Sequence, residues 1–193
     1  MANKTDIANL ALTMLGAEQI ASINDKSESA NKIRIVYDSV RNAIFEEHPW
    51  NFASNEVRLA PIVDKPLRGF AYQYNKPADC VRVNNIYDKD GNELPPEEFT
   101  VTGDKIQCNY NSIIISYNTL ITDESLFSSL FVQAFATRIA FEICYGLTGS
   151  RTLMSDLWAL YQQKLQIGKT ANAKEDPYKD LDKFSDPWID ARF

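Results

Sequence analysis

At Glu47-His48-Pro49-Trp50-Asn51-Phe52-Ala53 a helical period stops and a different one takes over. Pro49 cannot donate a backbone hydrogen bond and disfavours helical geometry at the residue before it, so a helix arriving from upstream ends at Glu47 or His48. Trp50 and Phe52 follow with the two-residue spacing of an extended segment, which predicts both rings on one side. Two such rings bury about 150–250 Å² each, more than a simple turn needs. Pro49, Trp50 and Phe52 are therefore expected to form a structural anchor between two kinds of architecture.

Upstream, Ile33, Val36, Tyr37, Val40 and Ile44 recur on one face of a helix running from about Ser29 to Glu47. Lys32, Arg34, Asp38, Arg41 and Glu46 are expected largely outside that face, with Arg34–Asp38 able to pair at i,i+4. A shorter helix precedes it, carrying Ile7, Leu10, Ala11, Met14 and Leu15. Thr5 or Asp6 is its expected cap and Gly16 its stop. Ile20 and Ile23 lie in the linker, and Asn24-Asp25-Lys26-Ser27 reads as a turn and cap.

Downstream the alternation belongs to strands. Phe70, Tyr72 and Tyr74 alternate until Pro77; Val81, Val83 and Asn85 are expected on one face, with Arg82, Asn84 and Ile86 on the other. A tight turn is read at Asp88–Asn92, and further short strands are predicted at 99–102, 105–109 and 113–117, joined by Gly103-Asp104 and Asn111-Ser112, so the pairing should be mostly antiparallel. From Asp123 the helical period returns. Leu126, Phe127, Leu130, Phe131, Ala134, Phe135, Ile139, Phe141 and Ile143 cover most of a helix circumference, as in the central helix of a bundle. Gln133, Thr137, Arg138 and Glu142 argue against a membrane span there. After Thr148-Gly149-Ser150, a fourth helix shows the stripe Met154, Leu157, Trp158, Tyr161 and Leu165.

The expected fold class is α+β, mainly α: a helical bundle (1–54 and 121–172) with an inserted antiparallel β-rich subdomain (55–120) and an extended C-terminal tail (173–193). In that tail Tyr178, Leu181, Phe184, Trp188, Ile189 and Phe193 are apolar residues along a charged strip, more than a disordered segment usually carries. Tyr178, Phe184, Trp188, Arg192 and Phe193 are the candidate partner-binding residues, Trp and Arg being common hot spots.

The formal net charge of −6 over 193 residues argues against a dedicated nucleic-acid binder, which needs a clustered basic footprint. Three cysteines (Cys80, Cys108, Cys144) without CxxC spacing, and a single histidine, make a Cys/His zinc site hard to assemble; reduced, buried thiols are expected. No basic segment followed by an apolar run opens the chain, as a secretion signal would require. No GxSxG, P-loop or GxGxxG is present. Asp88, Asp90 and Asn92 resemble a calcium loop, but the glycine falls at the fourth position and Phe99 occupies the twelfth, so a hairpin turn is the better reading. Arg138 and Glu142, at i,i+4 in the most apolar helix, read as a buried or interfacial ion pair. No catalytic, cofactor-binding or metal-binding residue is assigned. From the residues alone the chain reads as an interaction module with no active site, which puts a structural or assembly role ahead of an enzyme.

Four segments carry a resemblance: "NLALTMLGAEQIASIND" leading to "SANKIRIVYDSVRNAIFEEHPWNFA", "RGFAYQYNKPADCVRVNNIY", "SYNTLITDESLFSSLFVQAFATRIAFEICYGLTGS" and the final "DPWIDARF". Together they resemble the tail tubular protein A family, the head-to-tail adaptors of short-tailed bacteriophages, over nearly the whole chain. The resemblance implies a structural virion protein, assembled in the host cytoplasm, that forms a ring, commonly of twelve copies. That ring sits between the portal protein and a tail nozzle similar to tail tubular protein B. DNA passes through it without specific binding, which an acidic lining favours. No cofactor and no membrane are implied, and the C-terminal residues are expected to reach the portal or a neighbouring subunit. Two other classes stay open: a glycan-cleaving tail component, marked by turnover lost with one carboxylate, and a tail-assembly chaperone, marked by absence from mature particles.

Overall fold

The computed structural model describes residues 2–175. Among these lie four α-helices and six strands: α1 (Lys4–Met14), α2 (Glu28–Glu47), β1 (Ser54–Leu59), β2 (Tyr72–Asn75), β3 (Cys80–Tyr87), β4 (Phe99–Thr102), β5 (Lys105–Cys108), β6 (Ile113–Thr119), α3 (Ser129–Thr148) and α4 (Arg151–Lys174). The fold is α+β, mainly α, with two small antiparallel sheets. Two compact units result, one from the described residues up to Val36 and from Phe127 onward, the other from Tyr37–Leu126. The expected tail from Asp176 onward, with Tyr178, Phe184, Trp188, Arg192 and Phe193, lies outside the described residues.

The first unit is helical. Its first cap is Asn3 and not Thr5 or Asp6: the Asn3 side chain accepts from the Asp6 N–H at 2.9 Å, and Asp6 accepts from the Asn3 N–H at 3.2 Å. Asp6 is thus the third helical residue of a capping box, which satisfies two otherwise orphaned donors. Asn9 fixes the linker, exchanging two 2.9 Å hydrogen bonds with the backbone of Ile20, whose side chain is buried. Helix α3 is the core element. Phe131, Ala134, Phe135, Ile139, Ala140 and Ile143 are buried, and Phe127, Phe131 and Phe135 pack ring on ring at 4.9–6.3 Å. Its length and composition would suit a membrane span, yet 56% of that window is buried inside the protein. Gly149, at φ +67, ends α3 in a left-handed conformation that side-chain-bearing residues rarely adopt, and Ser150 caps α4 through the Leu153 N–H at 3.2 Å.

The second unit begins inside α2, so the compact division does not coincide with residues 54/55. The reason lies in the last turn of α2. Its carbonyls lack helical partners, and Pro49 prevents the chain from continuing the ladder. Side chains satisfy them instead. The Trp50 indole N–H donates to Ile44 O (3.0 Å), Asn118 donates to Phe45 O (2.9 Å) and His48 O (2.8 Å), and Arg82 donates to Glu46 O (2.9 Å). Asn118 is fully buried in β6, and its own oxygen accepts from Asn84 of β3 at 3.0 Å. The helix end is thereby tied to the sheet.

One sheet has the order β1-β6-β3 and the other β2-β5-β4, all pairs antiparallel. Both contribute to one core: Tyr74, Ile106 and Cys108 from the second meet Ile86, Ile113, Ile115 and Tyr117 from the first. Strand β1, not anticipated as a strand, pairs Ser54–Leu59 with Asn118–Ile113. Val83 and Ile86 were expected on opposite faces, yet both meet this core, because register shifts between Cys80/Arg82 and Val83/Asn85 interrupt the alternation. The expected extended run at Trp50–Phe52 is a 3₁₀ turn, Asn51–Ala53. The rings of Trp50 and Phe52 still approach to 6.0 Å, with His48 edge-on to Trp50 at 4.9 Å. Arg41, expected outside, is buried and pairs with Asp38 at 3.0 Å, displacing the anticipated Arg34–Asp38 pair; Arg34 turns to Asn31.

Asn118→Ala should destabilise the protein by roughly 2–4 kcal/mol, since buried carbonyls lose their donor. A lower urea midpoint at unchanged slope would register it; an unchanged midpoint would contradict the tie. A second expectation concerns alkaline pH. Tyr37 donates to Glu124 at 3.3 Å, and burial, followed by the Glu124 charge, pushes its phenol well above the usual range. Above about pH 10 the unfolded chain then loses this proton before the folded one, so stability falls as pH rises. Tyr37→Phe should flatten part of that fall in thermal melts across the alkaline range.

Candidate interaction surface

Helix α4 was expected to present a single stripe to the core. The structure divides that stripe. Leu157, Tyr161 and Leu165 are buried, whereas Met154 is half-buried and Trp158 stays 39% exposed. Two neighbouring faces explain the split: positions 157, 161 and 165 repeat at four and form one row, while 154 and 158 form the next.

That second row lines an open groove of about 760 Å³ between α3 and α4, with Arg138, Phe141, Tyr145 and Arg151 completing its walls. Arg138 organises it. Its guanidinium lies 4.7 Å from the Trp158 ring centroid, 5.3 Å from Tyr161 and 5.4 Å from Phe141, and it pairs with Glu142 at 3.0 Å. The expected Arg138–Glu142 pair is therefore present and partly solvated, with side-chain exposures of 20% and 33%. Phe141 and Trp158 pack with tilted rings, centroids 5.0 Å apart. Arg151 lies over Tyr145 at 5.8 Å, and Tyr145 is 52% exposed. Arg138 Nε is buried without a hydrogen-bond partner among the described residues.

Aromatic, Met and Arg side chains are the types enriched at the centres of protein interfaces. A guanidinium held over several rings also loses little freedom when a partner arrives. The groove suits binding of another polypeptide. The sequence reading missed it because it counted Met154 and Trp158 as core. The signal was available: Phe141 and Tyr145, and Met154 and Trp158, each sit at i,i+4 with an arginine nearby.

Other candidates fall elsewhere. Trp50 is buried and Pro49 and Phe52 half-buried, so that motif is architectural. Arg34, Asp38 and Asp156 are exposed. Asp88 closes its turn by accepting from the N–H groups of Asp90 (2.8 Å) and Asn92 (2.9 Å); the Asn92 side-chain amide, then the Asn92 N–H, hold its carboxyl below the usual range. Cys108 and Cys144 are buried and Cys80 half-buried, all as free thiols. Burial pushes the Cys80 and Cys108 thiols up, away from a reactive thiolate. Among the described residues no three His, Cys, Asp or Glu side chains converge as metal ligands.

Comparison of the sequence with protein-family models and with curated proteins gives no match in either.

If the groove is surface and the neighbouring row is core, two substitutions in unit one should separate cleanly. Tyr145→Ala should shift stability by no more than about 0.5 kcal/mol. Leu157→Ala, one row away, should cost about 2–5 kcal/mol. Comparable losses in urea unfolding would contradict the division.

Proposed function

We propose that this chain is a structural virion protein: a head-to-tail adaptor whose copies form a ring between the portal and the tail nozzle of a short-tailed phage. The observation that carries the proposal is the role of the residues on which the resemblance rests. "EEHPWNFA", "VRVNN" and "SYNT" are the parts that fasten a helix end to a β-unit, through Trp50, Arg82, Asn84 and Asn118. Shared segments made of fastening residues, and not of converging acids or nucleophiles, fit a protein defined by its architecture.

A ring needs a heterologous interface, in which each subunit offers two different complementary patches. The α3/α4 groove supplies one patch of suitable composition. The segment from Tyr178 to Phe193 supplies a chemically different one, and in the assembled particle it would reach the portal or a neighbouring copy. The acidic net charge supports passage of DNA without retention.

The test is the mass of the native species formed by the purified chain alone and with portal protein. A discrete complex holding many copies of the chain per portal assembly is expected. A chain that stays monomeric with portal present at high concentration would overturn the assignment.

A further inference from the structure

We propose that the α3/α4 groove is a docking site for this chain's own segment 176–193, held by the same copy in the free subunit. This stands independently of the adaptor reading.

Reach permits it. Helix α4 ends at Lys174 with Glu175 as its cap, and Pro177, two residues further on, cannot continue a helix. Doubling back along α4 from Lys174, the chain meets Trp158 after about 24 Å and Arg151 after about 35 Å. The thirteen Cα-to-Cα steps from Glu175 to Trp188 can span about 43 Å when extended, enough to bring Trp188 to either end of the groove. Attachment to the same chain also gives the segment a millimolar-scale local concentration, so weak contacts suffice.

Charge and composition agree. The segment holds five aspartates (176, 180, 182, 186 and 190) against three basic residues (Lys179, Lys183 and Arg192). The groove presents two arginines. Arg138 is only partly neutralised by a solvated Glu142, and Arg151 has no carboxylate within ion-pair distance among the described residues. Alongside its aspartates the segment carries Tyr178, Phe184, Trp188 and Phe193, which match a wall of Phe141, Tyr145, Met154 and Trp158. An aspartate flanking an aromatic, as in Asp186-Pro187-Trp188, can meet a guanidinium and a ring together. The groove thus contains the complement of what the segment repeats.

The experiment places a photo-crosslinking amino acid at Ser155, an exposed position on the groove wall, in the full-length chain at submicromolar concentration. Crosslinked peptides are then mapped by mass spectrometry. The expected product joins position 155 to residues within 176–193 inside a single-copy mass, and Trp188→Ala lowers its yield several-fold. A control crosslinker at Ile35, which is 79% exposed, should not capture the segment. Absence of the product, equal capture from position 35, or capture only between two copies would each overturn the proposal. The last outcome would assign the groove to a neighbour's segment.

Discussion

The carbonyl end of α2 is the constraint on which the second unit depends. A helix that stops inside a folded protein leaves backbone acceptors that must be satisfied, and here a proline rules out the backbone solution. Trp50, Arg82 and Asn118 provide donors to four successive or near-successive carbonyls, Ile44, Phe45, Glu46 and His48. Each donor comes from a different place: the turn after the helix, β3 and β6. Satisfying one helix end therefore fixes the relation of helix, turn and sheet within the unit. Asn118 is the most constrained, because its buried amide donates two bonds to the helix and accepts one from Asn84. Such a network is valuable only when complete, since a half-satisfied buried amide is worse than an apolar side chain.

This explains what could be seen beforehand. The end of α2, the Gly149–Ser150 break and the strands around Phe99, Lys105 and Ile113 follow from local rules of proline, glycine, capping and alternation. The anchor role of Trp50 followed from its size. What could not be seen depended on distant partners. Arg41 looks like a surface residue by helical period, but the fold covers it and Asp38 supplies its charge partner. Val83 and Ile86 obey alternation until the bulges in β3 break it. The capping role of Asn118 has no local signal, because its acceptors are some seventy residues away in sequence. The groove was hidden differently: periodicity marks a face as apolar without saying whether anything covers it.

Burial separates two uses of the same residue types. Trp50 is sealed and directs its N–H to a carbonyl, while Trp158 stays partly exposed with an arginine over its ring. The first holds architecture and the second offers contact. The adaptor reading needs both, a subunit that holds its own shape and a surface that recognises another polypeptide. It needs no catalytic group.

The most direct measurement of that reading is an electron cryomicroscopy reconstruction of the neck of the assembled particle. The account predicts a closed ring of copies of this chain around the DNA channel, between portal and nozzle. Mature, infectious particles whose neck contains no copy of the chain would contradict it.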